Sequence, residues 1–194
     1  MSLKKFAPPT VLPEGFLYQP DFLSESEEVK LLRTVETLQY GAYDFRGYIA
    51  KRRVVAYGEG YDSGTRGMAI ADKVIPDFLS PIRDRAAAIA GTPADEIVQA
   101  LVTEYSVGTP IGWHRDSPQF ETIIGISLRS SCRLRLKPYQ GEGKIISVIL
   151  EPRSIYVMRG PVRWHFQHSI PAVKDLRYSI TLRTLSKKHH SRAA

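Results

Sequence analysis

A single cysteine, Cys132, stands in 194 residues, which excludes an internal disulfide and suits a reducing compartment. No run of about 18 apolar residues is present, so no helix is expected to span a membrane. The N-terminal stretch is broken by Pro8 and Pro9 before the apolar core of a signal peptide could form, and a cytoplasmic location is the expectation. There is no internal repeat and no low-complexity block. What remains is ordinary for a soluble globular chain: 43% hydrophobic and 24% charged residues. The length fits one domain with a proper core and is short for two. A monomer is expected.

The net charge is +7 and the pI about 9.5, which meets the rough criterion for nucleic-acid partners. Three of the cations, Lys187, Lys188 and Arg192, lie in a polar tail with His189 and His190. A solvated basic surface would give the same excess, so the charge alone does not choose a partner.

The order of patterns predicts an α+β chain that is mainly β. Ser24-Glu25-Ser26-Glu27 has capping-box spacing, and the apolar residues that follow predict a helix over about 25–38. Ser80-Pro81 reads as an N-cap followed by proline at the first helical position, with the helix stopping near Gly91. From about residue 97 the pattern changes to short apolar or alternating runs, at 98–105, 122–128, 133–137, 145–150, 155–158 and 178–185. Arg133-Leu134-Arg135-Leu136-Lys137 alternates strictly, as a half-buried strand does. Many short strands at this spacing form a sandwich or barrel, here a jelly roll (double-stranded β-helix) with the N-terminal helices outside one sheet. The expected organisation is one unit over 1–194. A helical and recognition-lid portion occupies about 15–95, a jelly-roll core about 97–185, and a basic tail 186–194.

The residues with chemical potential fall mostly in the second half. His114 and Asp116, one residue apart, would share a face if they lay on a strand. With His168 they make two imidazoles and one carboxylate, the donor set of a non-haem Fe(II) site with positions left open for O2. Arg177 and Arg183, six apart, would share a strand face, and fixed guanidinium forks suit a dicarboxylate such as 2-oxoglutarate. His165 is a rival third ligand, although a histidine between Trp164 and Phe166 is more often a packed residue.

These motifs together resemble the AlkB-like family of Fe(II)- and 2-oxoglutarate-dependent dioxygenases. Tyr105-Ser106-Val107-Gly108 precedes His114-Arg115-Asp116 as Tyr-x-x-Gly precedes His-x-Asp in that family. Phe166-Gln167-His168-Ser169-Ile170 resembles its aromatic-x-His-x-Ile, and Arg177 to Arg183 its paired-arginine strand. The resemblance implies that His114, Asp116 and His168 ligate Fe(II). It implies that Arg177 and Tyr105 hold the distal carboxylate of 2-oxoglutarate, and that Arg183 lies near the carboxylate on the metal. Thr103 and Ser179 stand where founding members carry asparagine, and both keep a hydroxyl for the cosubstrate. Pro118 stands where some members carry a second acidic residue that helps to read the base. The implied reaction is oxidative demethylation of N-alkylated bases in DNA or RNA, as in alkylation repair, with succinate, CO2 and formaldehyde as products. The same chemistry on a protein side chain or small molecule is an alternative, and so is a nucleic-acid-binding module without turnover.

The substrate residues are sought before the jelly roll. Lys51, Arg52 and Arg53 lie among Tyr43, Tyr48, Tyr57 and Tyr61, and cations for phosphates beside aromatics for stacking suit a nucleotide-recognition lid over 44–65. A tyrosine-rich hairpin covering the sheet edge would have the same composition. Arg129, Arg133, Arg135 and Lys137 either extend a basic groove or form the solvent side of a strand.

Overall fold

A computed structural model describes residues 11–45, 48–62, 67–70 and 74–186. Helix α1 spans Glu25–Val35 and is opened by the predicted capping box: Ser24 Oγ accepts from the Glu27 backbone, and the Glu27 carboxylate accepts from the Ser24 backbone. It ends three residues earlier than the apolar pattern implied. Helix α2 spans Ser80–Ala90 and stops at Gly91, whose φ of 65° is the left-handed cap. Ser80 is not its N-cap. A 3-10 turn over Asp77–Leu79 runs straight into the helix, so Ser80 is already helical and makes no capping bond.

Eight strands form the larger sheet, all antiparallel. They are β1 (Phe16–Gln19), β2 (Gly41–Phe45), β3 (Tyr48–Asp62), β4 (Gly67–Ile70), β5 (Ile97–Tyr105), β7 (Phe120–Leu128), β10 (Ile155–Met158) and β12 (Arg177–Leu185). Their order is β1-β10-β7-β12-β5-β3-β2, with β4 paired to the outer part of β3. The smaller sheet has the order β6-β11-β8-β9, from Ile111–His114, Phe166–Ile170, Cys132–Pro138 and Ile146–Leu150. From β5 onward the chain alternates between the two sheets, except at the β8–β9 hairpin within the smaller one, which is the jelly roll. The short helix α3, Pro161–His165, leads into β11.

Side-chain alternation sorts the apolar residues into two cores. Val102, Ile124, Ile126, Leu128, Ile180 and Leu182 face outward onto Leu31, Val35, Ile82 and Ala86 of the helices. Tyr105, Ile123 and Met158 face inward onto Leu134, Leu136, Leu150 and Ile170 of the smaller sheet. The helices thus cover one face of the large sheet, and Cys132 is buried in the inner core. Among the described residues no helix is long and apolar enough to cross a membrane. The tail histidines and lysines lie outside the described residues.

Candidate active site

His114 is the last residue of β6 and pairs directly with His168 on β11. Asp116 lies two residues past the end of β6, so a loop brings it back to the histidines. Strand alternation, the basis for expecting it there, is not what aligns it. The loop is held by Arg163, a residue with no signal in the sequence beyond its place ahead of His168. Arg163 is 3% exposed, and its Nη2 donates to the carbonyls of Asp116, Ser117 and Phe120 at 3.3, 2.8 and 2.9 Å.

One ligand atom from each of His114, Asp116 and His168 lies within 4.8 Å of the other two, close enough for one metal ion. The His114 and His168 ring centroids are 4.3 Å apart, and His168 Nε2 is 3.5 Å from Asp116 Oδ2. His114 Nδ1 lies 2.9 Å from the Gly112 carbonyl, which can only accept, so this nitrogen carries the proton and leaves Nε2 free to ligate. Burial, and then the neighbouring His114, push the His168 pKa down to about 3, so it is a neutral donor near pH 7. For Asp116, burial opposes ionisation but is outweighed by Arg183, followed by the two histidines. Its pKa therefore falls well below the usual carboxylate range. The donor set suits Fe(II). His165 is exposed at the end of α3, where its carbonyl accepts from Tyr139, and it is not part of the cluster.

Arg177 and Arg183 both project from the inner face of β12. Arg177 is 1% exposed, lies over the Tyr105 ring and donates from Nη2 to Ser127 Oγ at 3.2 Å. Its Nε and Nη1 are buried without a partner. A buried, unpaired guanidinium is costly unless an anion completes it, which is the direct sign that a carboxylate fits here. The Tyr105 hydroxyl lies 3.3 Å from Ser179 Oγ, and Thr103, buried at 2%, pairs with Ser179 across the strands. Arg183 donates to Asp116 Oδ1 at 2.8 Å and to Gln99 Oε1 at 2.6 Å, linking this pocket to the triad. The residues present fit a dicarboxylate cosubstrate beside the metal.

Tyr156 also enters this face, and nothing in the sequence marked it. Its ring lies against Gly125, where a Cβ would meet it at 2.2 Å. Gly125 pairs with Thr181, four residues after Arg177 and two before Arg183 on β12, which brings the phenol in beside the arginine face. Burial, and then Tyr105 and Asp116, raise its pKa, which keeps it a neutral hydrogen-bonding group.

The expected lid residues separate. Arg53 pairs with Glu104 at 2.7 Å and lies over the Tyr40 ring, and Tyr57 packs against the helix-side core. Both lie opposite residues that face the helices, Glu104 and Ala100, and the structure does not bring them to the triad. Lys51 and Arg52 occupy a bulge where β2 and β3 change register. Tyr61 pairs with Met68 on β4, but its side chain, like those of Tyr43 and Tyr48, lies outside the described residues. β2 and β3 continue the edge of the large sheet.

A two-sheet jelly roll with this metal cluster and these arginines defines a class, and the sequence comparison agrees with it. The chain belongs to the 2OG-Fe(II) oxygenase superfamily, whose sequence profile matches residues 15–189. Within that superfamily it is AlkB-like. It is 30% identical over 163 residues to the bovine (Bos taurus) alpha-ketoglutarate-dependent dioxygenase alkB homolog 7, mitochondrial, covering 82% of this chain and 68% of that protein. It is 28% identical over 181 residues to an Arabidopsis thaliana protein named alkylated DNA repair protein ALKBH8 homolog. That match covers 81% of this chain, which spans about half (51%) of the relative's length. The solved structure of OsALKBH1 shares the fold, with a TM-score of 0.69 at 17% identity, covering 90% of this chain and 98% of that one. Membership brings Fe(II) as the metal, 2-oxoglutarate as the cosubstrate and O2 as the oxidant.

Proposed function

We propose that the chain is an Fe(II)/2-oxoglutarate-dependent dioxygenase that demethylates N-alkylated bases in nucleic acid. The observation that carries the chemistry is the triad joined through Arg183 to a pocket whose deepest cation, Arg177, has two nitrogens without a partner. On this reading His114 Nε2, Asp116 and His168 hold the iron. Arg177 and Tyr105 take the distal carboxylate of 2-oxoglutarate, with Ser179 and Thr103 supplying hydroxyls. Arg183 steadies Asp116 and faces the end of the cosubstrate nearest the metal. Iron with 2-oxoglutarate supplies an oxidant, made from O2, that can hydroxylate an unactivated C–H bond. Met158 and Val162 shield the triad on one side. A hydroxylated N-methyl group then leaves as formaldehyde, giving the free base.

Support for a nucleic-acid substrate comes from the rim and from the relatives. Arg115, between two triad residues, is exposed and lies 3.7 Å over the half-exposed Tyr139 ring. A cation with an aromatic at the mouth suits a flipped or single-stranded nucleotide. The Arabidopsis relative carries alkylated DNA repair in its name.

The test is mass spectrometry of methylated single-stranded and duplex DNA and RNA oligonucleotides after incubation with Fe(II), 2-oxoglutarate and ascorbate. Succinate is measured in parallel, and Asp116→Ala serves as the blank. Loss of a methyl group with stoichiometric succinate is expected. Succinate formation without demethylation of any oligonucleotide would move the substrate to a protein or small molecule. Near-normal turnover by Asp116→Ala would remove the metal assignment.

A further inference from the structure

We propose that the open face of the smaller sheet is a phosphate track for a single nucleic-acid strand leaving the active-site mouth, an inference that rests on the nucleic-acid reading above. Helices α1 and α2 pack on the large sheet. On β8, Leu134 and Leu136 are fully buried, while Arg133, Arg135 and Lys137 point the other way. Arg135 and Lys137 both lie against the Trp113 ring, at 4.9 and 4.5 Å from its centroid, and Arg135 Nε donates to Ser169 Oγ at 3.0 Å. The tryptophan thus fixes two cations side by side on a flat surface.

On this face three cations without an ion pair stand in a row, whereas many of the other arginines are paired. Arg53, Arg83, Arg85, Arg129, Arg153 and Arg183 each have a carboxylate within ion-pair distance. Among the described residues, no carboxylate pairs with Arg133, Arg135 or Lys137. The row is also continuous with the mouth. Tyr139 follows Lys137 by two residues, bonds through its N–H to the His165 carbonyl at 2.8 Å, and carries Arg115 on its ring. Arg115 in turn stands between His114 and Asp116. Alternate residues on a strand repeat about every 6.8 Å, so the β8 cations form an evenly spaced line from the mouth outward. Among the described residues no helix or ribbon projects from this face to enter a duplex groove, whereas a charged surface with aromatics is what single-strand sites use.

The test is fluorescence anisotropy of labelled single-stranded DNA, a 5-mer and a 20-mer, titrated over salt. It compares wild type with Arg133→Gln/Lys137→Gln and with a charge-matched control on α1, Lys30→Gln/Arg33→Gln. Arg135 is left intact because it bonds within the sheet. For the 20-mer the track variant should lose roughly 1.4 from the slope of log K against log salt, at about 0.7 per phosphate contact. The control should keep the wild-type slope, and the 5-mer should separate the variants far less. Substrate-free succinate formation and melting temperature should match wild type in both variants, which guards against misfolding. Equal slopes in all three proteins would overturn the track, and if wild type still demethylates oligonucleotides the functional reading stands without it. Binding to polyglutamate or anionic vesicles but to no oligonucleotide would also overturn it. Absence of both binding and demethylation by wild type would remove both readings.

Discussion

At the scale of single residues, the sharpest tension in the molecule is at Arg177. Its guanidinium is buried, yet two of its nitrogens meet no acceptor. Leaving such a group unpaired costs about 1–3 kcal/mol, and more when it is charged, so the unliganded protein carries a local instability that a carboxylate would relieve. This makes stability and affinity move in opposite directions on mutation. Arg177→Met should leave the melting temperature of the unliganded protein unchanged or raise it. It should also raise the KM for 2-oxoglutarate at least about 100-fold, from the loss of two charge-assisted hydrogen bonds worth roughly 1.5–3 kcal/mol each. Thermal melts without cosubstrate, run beside a 2-oxoglutarate titration of succinate formation, check both halves. An unchanged KM would mean that another cation holds the distal carboxylate.

At the scale of elements, the cosubstrate pocket depends on how β7 and β10 meet. Gly125 faces Tyr156 across that pair, and any Cβ there would sit 2.2 Å from the ring. Gly125→Ala should therefore destabilise the protein by about 1–3 kcal/mol, as overpacking does, and push the phenol out of line with the arginines. Adding Tyr156→Val should recover most of the lost melting temperature but not the affinity for 2-oxoglutarate. Additive losses would show that the two residues do not compete for the same space. This pair also shows where sequence reading stops. The capping box of α1, the glycine stop of α2 and the alternation of β8 depend on neighbours within a few residues, and all are legible in the chain. His114, His168 and the two arginines could be picked out because their types and order are unusual. The return of Asp116, however, depends on Arg163 bonding carbonyls more than 40 residues away, and no local pattern encodes that. Two of the expected lid residues, Arg53 and Tyr57, turn away from the triad for a related reason. Which face a strand residue occupies is set by register, and the pairing of β3 with β5 turns Arg53 and Tyr57 toward the helices. Composition could suggest cations among tyrosines but could not say which way they point.

At the scale of the whole molecule, the large sheet separates a closed core under the helices from an inner core that opens at the triad. The first is apolar and completed by the helices. The second contains buried charge: Asp116, Arg163 and Arg183 gather at the triad and Arg177 lies deeper, and only some of their polar atoms are satisfied by protein. The stability of the jelly roll should therefore respond strongly to what fills the site. Both 2-oxoglutarate and a redox-inert divalent ion such as Mn(II) bind only the folded chain, so saturation at about 100 times Kd should add about 2.7 kcal/mol for each ligand. For a chain of this size that corresponds to a melting shift of roughly 5–10 °C per ligand. Either component alone should give less, because Arg183 couples Asp116 to the cosubstrate pocket. Asp116→Ala should lose the metal-dependent part and Arg177→Met the 2-oxoglutarate-dependent part. If the two ligands shifted the melting temperature additively in wild type, and independently in both variants, the triad and the arginine pocket would be two separate sites. The Arg183 link would then be a packing contact without a part in assembling one centre.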